Sequence, residues 1–356
     1  MKLDDALAES ADADTPANKP RWPLMQRLML RVLRLLDRYP WLLPLGSFVA
    51  GAGSYFMVRR GEGLARMIAV VALLGWPWLL VQGWLHRWLL RRFNSRWTPY
   101  ALQMITQSLQ QEVLFFSLPF VIGATQPDWG QWLFTSLAVL AALISTLDPI
   151  YEKRIAQRPT LGLLFHAYVS FVCALVVIPI ALKVQLENAL PLALAITGVW
   201  LLLGLPRVWA DLVTPRARLI GLAALAVAPV LLWLLRSHVP PAGLSVTEAR
   251  IAQQIQGLDP GPAVNQFSVT ALRASGAVAF VAIRAPMGLE QSVVFQWVQN
   301  GKKLDRIPAE IHGGGKTGWR TWSRKRNFPE DPRGDWRVDL ETPDGQLIER
   351  LEFRVS

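Results

Sequence analysis

Between Trp41 and Leu235 the chain carries seven long apolar stretches in succession, near 41–58, 65–85, 101–124, 131–148, 161–182, 189–205 and 218–235, parted only by short polar loops. The hydrocarbon core of a bilayer takes about 20 apolar residues per helix, and one such stretch can be a buried core helix. Seven in a row have no place in a water-soluble globule. The first stretch begins too far from Met1, and lacks the small-residue cleavage pattern, to be a removable signal peptide. It is also short and glycine-rich, so a six-span count with 41–58 re-entrant is the alternative. Composition agrees with a membrane class: 52% of the 356 residues are hydrophobic and 18% charged, against about 25% charged in an ordinary soluble domain.

The formal charge of +11 raises the question of nucleic acid, and its distribution answers it. Residues 1–243 hold 22 Lys+Arg and 13 Asp+Glu, a net of +9, whereas residues 244–356 hold 15 and 13, a net of +2. The basic excess lies in the apolar part and marks topology, so no nucleic-acid partner is expected. Counted at alternate span ends, Lys and Arg number seventeen on one side and five on the other. The positive-inside rule then sets a cytoplasmic N-terminus, and an odd span count sets the C-terminal domain outside. Trp41, Trp84, Trp88, Trp129, Trp132, Trp209 and Trp233 fall near span ends, where an indole buries its ring and keeps its N–H wet.

The boundaries follow. Residues 1–20 are an acidic, alanine-rich tail with the composition of a disordered segment. Residues 21–40 form a basic amphipathic helix with Arg27, Arg31, Arg34 and Arg38 on one face, suited to anionic lipid. Residues 41–236 are the transmembrane domain, 237–246 a linker opened by Pro240-Pro241, and 247–356 a β-sandwich. The expected fold is a membrane all-α helical bundle of about seven spans plus a C-terminal all-β, Ig-like sandwich.

Ionisable groups at membrane depth are costly, so the polar residues inside the spans are candidates for function. Span three carries Gln103, Thr106, Gln107 and Gln110 on one stripe, and Ser108 with Glu112 on another. A helix polar on two faces is expected at the centre of the bundle. Asp148 ends span four and His166 lies in span five. A Glu112–His166 pair suits proton carriage or a metal ion, and the same residue types suit a polar lock between helices.

In the C-terminal part, period-two stretches at 267–272, 278–284, 292–299, 303–311, 318–325, 335–342 and 347–355, with Asn300-Gly301 and Asp344-Gly345 as hairpin turns, argue for about seven strands. Residues 247–257 are a short helix or first strand. Gly313-Gly314-Gly315-Lys316-Thr317 resembles the end of a phosphate loop, but Glu310 stands where the first glycine is required. No catalytic grouping stands out: His312 has no serine at a supporting spacing, and Glu330, Asp331 and Asp335 crowd a proline-rich loop. With Cys173 the single cysteine, neither a disulfide nor a thiolate metal site is available, and no cofactor is expected. The suggestive feature is aromatic and basic. Arg320, Trp322 and Arg324 share one face of a strand, with Trp297 elsewhere, and such a row stacks on a sugar or holds an anion or peptide carboxylate. A cation–π ladder that only shields the sheet has the same pattern.

The run WVQNGKKLDRIPAEIHGGGKTGWRTWSRKRNFPEDPRGDWRVDLETPDGQLIERLEFRV is similar to the DUF2914 family, in its Trp-containing strand followed by NG, its GWR-T-WS-K, its G-W-V and its DG before a closing F-V strand. The multi-spanning part resembles the DUF5924 region found ahead of that domain in proteobacteria. The resemblance implies a Gram-negative inner-membrane protein and supplies no activity. In that family a histidine often stands two residues before the first tryptophan, and here the position is Phe295, which weakens an enzyme reading. The expectation is a non-enzymatic envelope protein whose sandwich binds a protein, peptide or glycan partner. The alternative is a transporter or intramembrane enzyme working at Glu112 and His166.

Overall fold

The computed structural model describes residues 98–356 apart from 148–149, 183, 286–289 and 314–316, together with Tyr39, Leu45 and Val49. The expected spans at 41–58 and 65–85, the acidic tail, the helix bearing Arg27, Arg31, Arg34 and Arg38, and Asp148 lie outside the described residues. Five long helices follow one another: α1 (Thr98–Ala124), α2 (Trp129–Thr146), α3 (Pro159–Leu182), α4 (Leu186–Asp211) and α5 (Pro215–Leu234), with a six-residue π-helix at Tyr151–Ala156 between α2 and α3. Four of them, α2 to α5, are long and apolar enough to cross a membrane. α1 has the length, with 27 residues, but it carries the glutamine stripe and Glu112.

Chain punctuation sets the helix ends. Asp128 accepts from the Gly130 and Gln131 amides at 3.0 and 3.3 Å and caps α2. Thr214 accepts from Ala217 N at 3.2 Å, and Pro215 supplies the first turn of α5, a position where a missing N–H costs nothing. The links after α1 and α3 are short, so the C-termini of α1, α3 and α5 and the N-termini of α2 and α4 gather at one end.

Among the described residues α3, not α1, is the centre. Every residue from Phe171 to Ile180 is buried, and α3 packs on both α1 and α4. The physical reason is composition: along that stretch α3 has no ionisable group except Cys173 and can be covered on all sides, whereas α1 leaves Glu112 exposed.

Among the described residues the sandwich has ten strands: β1 (Ser245–Ala252), β2 (Ile255–Gln256), β3 (Asp259–Pro260), β4 (Gln266–Phe267), β5 (Ala277–Arg284), β6 (Glu290–Gln299), β7 (Lys302–His312), β8 (Trp319–Lys325), β9 (Gly334–Glu341) and β10 (Leu347–Val355). One sheet runs β1-β5-β8 and the other β4-β10-β9-β6-β7, with β2 and β3 forming a separate pair. Ile251, Ala279, Val281 and Ile283 of the first sheet meet Phe295, Trp297, Trp336 and Phe353 of the second in one core. The stretch expected as a strand at 267–272 is instead mostly a helix, α6 (Val269–Ser275). Ser268 caps it by accepting from Ala271 N at 3.2 Å, and Gly276, at φ 76°, ends it; local capping overrode the alternation. The domain is therefore not purely β, and β4 pairs parallel to β10.

The turn after β6 has Asn300 and Gly301 at φ 47° and 81°, the two left-handed residues a type I′ hairpin needs. Asn300 Oδ1 then accepts from Asp335 N at 2.9 Å, and the backbone passes so close that a Cβ on Gly334, at φ 115°, would lie 2.3 Å from that oxygen. Gly334→Ala combines a disfavoured φ with this clash. It is expected to destabilise the sandwich by about 2–3 kcal/mol, read as a lower unfolding midpoint of the purified protein.

Candidate functional site

Three groupings of polar side chains stand out, one in the bundle, one at the junction and one on the outer sheet face. In the bundle, Tyr151 Oη donates to Gln110 Oε1 at 2.6 Å, and Gln110 Nε2 lies 2.9 Å from His166 Nδ1. Because that amide nitrogen only donates, His166 Nδ1 accepts and the ring carries its proton on Nε2. Nε2 has no conventional partner. The imidazole meets the Trp200 ring edge-on, at 4.7 Å between centroids and 85°, a geometry that lets an N–H face an indole π cloud. The chain of donors links α1, the π-helix, α3 and α4 without an ionised group. Gln107 Nε2 donates to the Ser145 carbonyl at 3.0 Å and ties α1 to α2. Glu112 is exposed and is not brought to His166, whose partner is Gln110. Among the described residues no group of three or more His, Cys, Asp or Glu side chains is arranged to hold a metal ion.

The second grouping joins bundle to sandwich. Asp128, at the head of α2, pairs through Oδ1 with His238 Nδ1 at 3.0 Å, and its Oδ2 lies 3.6 Å from Arg350 of β10. Arg350 Nε in turn donates to Asp339 Oδ1 at 2.7 Å, and Asp339 is 2% exposed. Burial alone would raise the Asp128 carboxyl; the hydrogen bond with His238 and those from the Gln131 and Gly130 amides outweigh it and hold the group below its ordinary value. Around this centre, Gln131 Nε2 donates to the Leu347 carbonyl at 2.8 Å, Gln346 Nε2 to the Val239 carbonyl at 3.1 Å, and Leu186 N to Gln291 Oε1 at 2.6 Å. Arg236 donates to the Asp344 carbonyl. Val239, Pro240, Pro241, Ala242 and Leu244 are buried. The segment expected as a linker is a packed part of the junction.

The third grouping lies on the outward face of the three-stranded sheet. Thr321, Ser323 and Lys325 point inward and are buried, so Arg320, Trp322 and Arg324 point outward. Phe280 of β5 lies opposite both Arg250 and Trp322 and is fully buried between them. Arg320 pairs with Asp259 at 2.6 Å, and Arg324 donates to the Ser275 carbonyl at 3.3 Å. Trp322 remains 38% exposed. Trp297, expected among the binding candidates, belongs to the core: it is fully buried and its Nε1 donates to Ser323 Oγ at 3.0 Å. Its place on β6, between β9 and β7, turns the indole toward the facing sheet.

Sequence reasoning singled out the arginine–tryptophan row but missed the junction. Its members come from distant parts of the chain, 216 residues apart in the Gln131–Leu347 bond, and no spacing announces them. The one local signal was Asp128 ahead of an apolar run, the mark of a helix cap.

These features define a class: a helical bundle with membrane-span-capable helices, carrying a docked β-sandwich. The chain belongs to the DUF5924 family, a family of unknown function whose model matches residues 22–279. A second model, DUF2914, a protein of unknown function, matches residues 290–355. Comparison with curated proteins and with solved structures gives no match. The first family model ends inside β5, so the division between the two families runs through the sandwich and its single core.

Proposed function

We propose that this is a multi-pass inner-membrane protein of the bacterial envelope, without enzymatic activity, whose sandwich stands in the periplasm and binds a protein, peptide or glycan partner. The N-terminus lies in the cytoplasm, where Arg27, Arg31, Arg34 and Arg38 meet anionic lipid. The single observation that carries the binding reading is the outward row on β8. An exposed indole beside the buried Phe280, between two guanidinium groups that keep N–H donors beyond those given to Asp259 and the Ser275 carbonyl, offers an apolar surface with anion donors on either side. That is the chemistry for a sugar ring or side chain bearing a carboxylate. The junction supports the same reading, because a sandwich held by hydrogen bonds to three helix ends passes a load on its face into the bundle. The transporter or intramembrane-enzyme reading lacks comparable support, since Glu112 and His166 do not meet.

In-cell photo-crosslinking from a photoreactive residue at position 322 of the full-length protein tests this. The expected result is one discrete adduct, identified by mass spectrometry and lost when Arg320 and Arg324 are both replaced by Ala. No adduct at normal protein abundance would overturn the binding reading.

A further inference from the structure

We infer that the β7–β8 end of the sandwich rests on the bilayer itself, with Trp319 seated among the lipid headgroups of the leaflet nearest the sandwich. The inference rests on reading the helices as membrane spans, and goes beyond it by assigning a lipid-contact surface to the β domain.

The argument starts from which strand ends face the helices. The start of β6 is held by the bond from Leu186 N, at the head of α4, to Gln291. The start of β10 is held by Gln131 of α2, and β1 begins directly after the buried segment that follows α5. Strand pairing carries this level across both sheets. Glu290 at the start of β6 lies opposite His312 at the end of β7. Ser245 at the start of β1 lies opposite Arg284, and Ile283 opposite Trp319 at the start of β8. The Thr247 hydroxyl also donates to the Thr317 carbonyl at 3.1 Å. Residues 312–313 and 317–319 thus belong to the end of the sandwich that meets the helix ends.

β8 is the edge of its sheet, two strands from β1. At about 4.8 Å per strand it stands roughly 10 Å to the side of the point where the chain leaves the bundle. Trp319 is 41% exposed there, its ring against that of His312 at 4.6 Å. Trp129, Trp132 and Trp233, exposed by 71%, 58% and 37%, occupy the same end of α2 and α5. Exposed indoles gathered at one level are the mark of a membrane interface, where the ring is buried and the N–H stays wet. Trp319 continues that level from the bundle onto the sandwich. At about 3.4 Å per residue, Trp322 and Arg324 lie roughly 10 and 17 Å further along β8, clear of the headgroups and open to a soluble partner.

Depth-dependent quenching tests the surface. Full-length protein carrying Cys173→Ala and one new cysteine is labelled with a small fluorophore and reconstituted in phosphatidylcholine nanodiscs with a nitroxide on the headgroup or midway along the acyl chain. The labelled positions are Trp319→Cys, Thr317→Cys (which keeps the indole), Arg324→Cys and Leu140→Cys. At 317 and 319 the headgroup quencher is expected to act about twofold or more above its effect at 324, and above that of the acyl-chain quencher, as for a group at headgroup level. Equal, weak quenching at 317, 319 and 324, with Leu140 strongly quenched by the acyl-chain probe, would overturn the inference and leave the spans intact. An unquenched Leu140 would overturn the membrane reading itself.

Discussion

A polypeptide of residues 290–355 alone is expected not to fold, although a family model delimits it, whereas residues 239–356 are expected to fold. The fragment retains β6 to β10 but loses β5, among the described residues the only strand hydrogen-bonded to β8. It also loses Ile251, Phe267, Leu272, Ala277, Ala279, Val281 and Ile283 from the core around Trp297 and Phe295. Burying an aliphatic side chain is worth about 1.5–3 kcal/mol, and a whole domain is stable by only about 5–15 kcal/mol. Losing several such partners, with two large indoles left facing water, exceeds that margin. The measurement is amide-proton dispersion together with a thermal melt for both fragments. A cooperative melt and dispersed resonances from 290–355 would show that the two sheets are not one core.

Arg350→Ala is expected to loosen the sandwich from the bundle and destabilise the protein by about 2–4 kcal/mol, discounted from the ~3–5 kcal/mol of a fully buried pair because Arg350 keeps about a third of its side chain in water. The loss has two parts. Among the described residues Asp339 is left buried with only Arg337, at 3.2 Å, as a counter-charge, and Asp128 loses its cation from the sandwich side. Asp339→Asn in the same chain is expected to restore part of the stability, because it removes the uncompensated charge without rebuilding the contact to Asp128. Thermal unfolding of the solubilised protein reads the first effect. Proteolytic cleavage within 239–244, buried in the intact junction, reads the loosening. A single variant with an unchanged midpoint and unchanged cleavage would mean that the junction is held by the backbone-directed amides of Gln131, Gln346 and Gln291 alone.

Strands β5 to β10 were legible as runs of strand length, alternating in burial along β8 and buried on both faces along β5, and bounded by turn residues such as Asn300-Gly301, whose positive φ values only a few residues tolerate. The apolar helices were legible for a similar reason, since length and hydropathy are local. What was hidden was non-local. The two-residue β4 and the helix α6 depend on Ser268 and Gly276, whose capping signals competed with a period-two pattern in the same seven residues. The central helix could not be chosen from polarity alone, because the glutamines of α1 satisfy Tyr151, His166 and the Ser145 carbonyl on one side while Glu112 stays exposed on another. Trp297 and Trp322 look alike in sequence. Only the register of β8, with Ser323 inward to meet the Trp297 indole, makes one core and the other surface. The junction was least legible, because Asp128, His238, Asp339 and Arg350 meet only after both parts have folded.

The central claim is a sandwich outside the cytoplasm, seated on a bundle whose N-terminus is inside. Paired fusions after Ser356 test it most directly, one carrying alkaline phosphatase, which is active only outside the cytoplasm, and one a fluorescent protein that matures only within it. The expected result is phosphatase activity with a dark fluorescent fusion. A fluorescent fusion with inactive phosphatase, at equal abundance, would contradict the account.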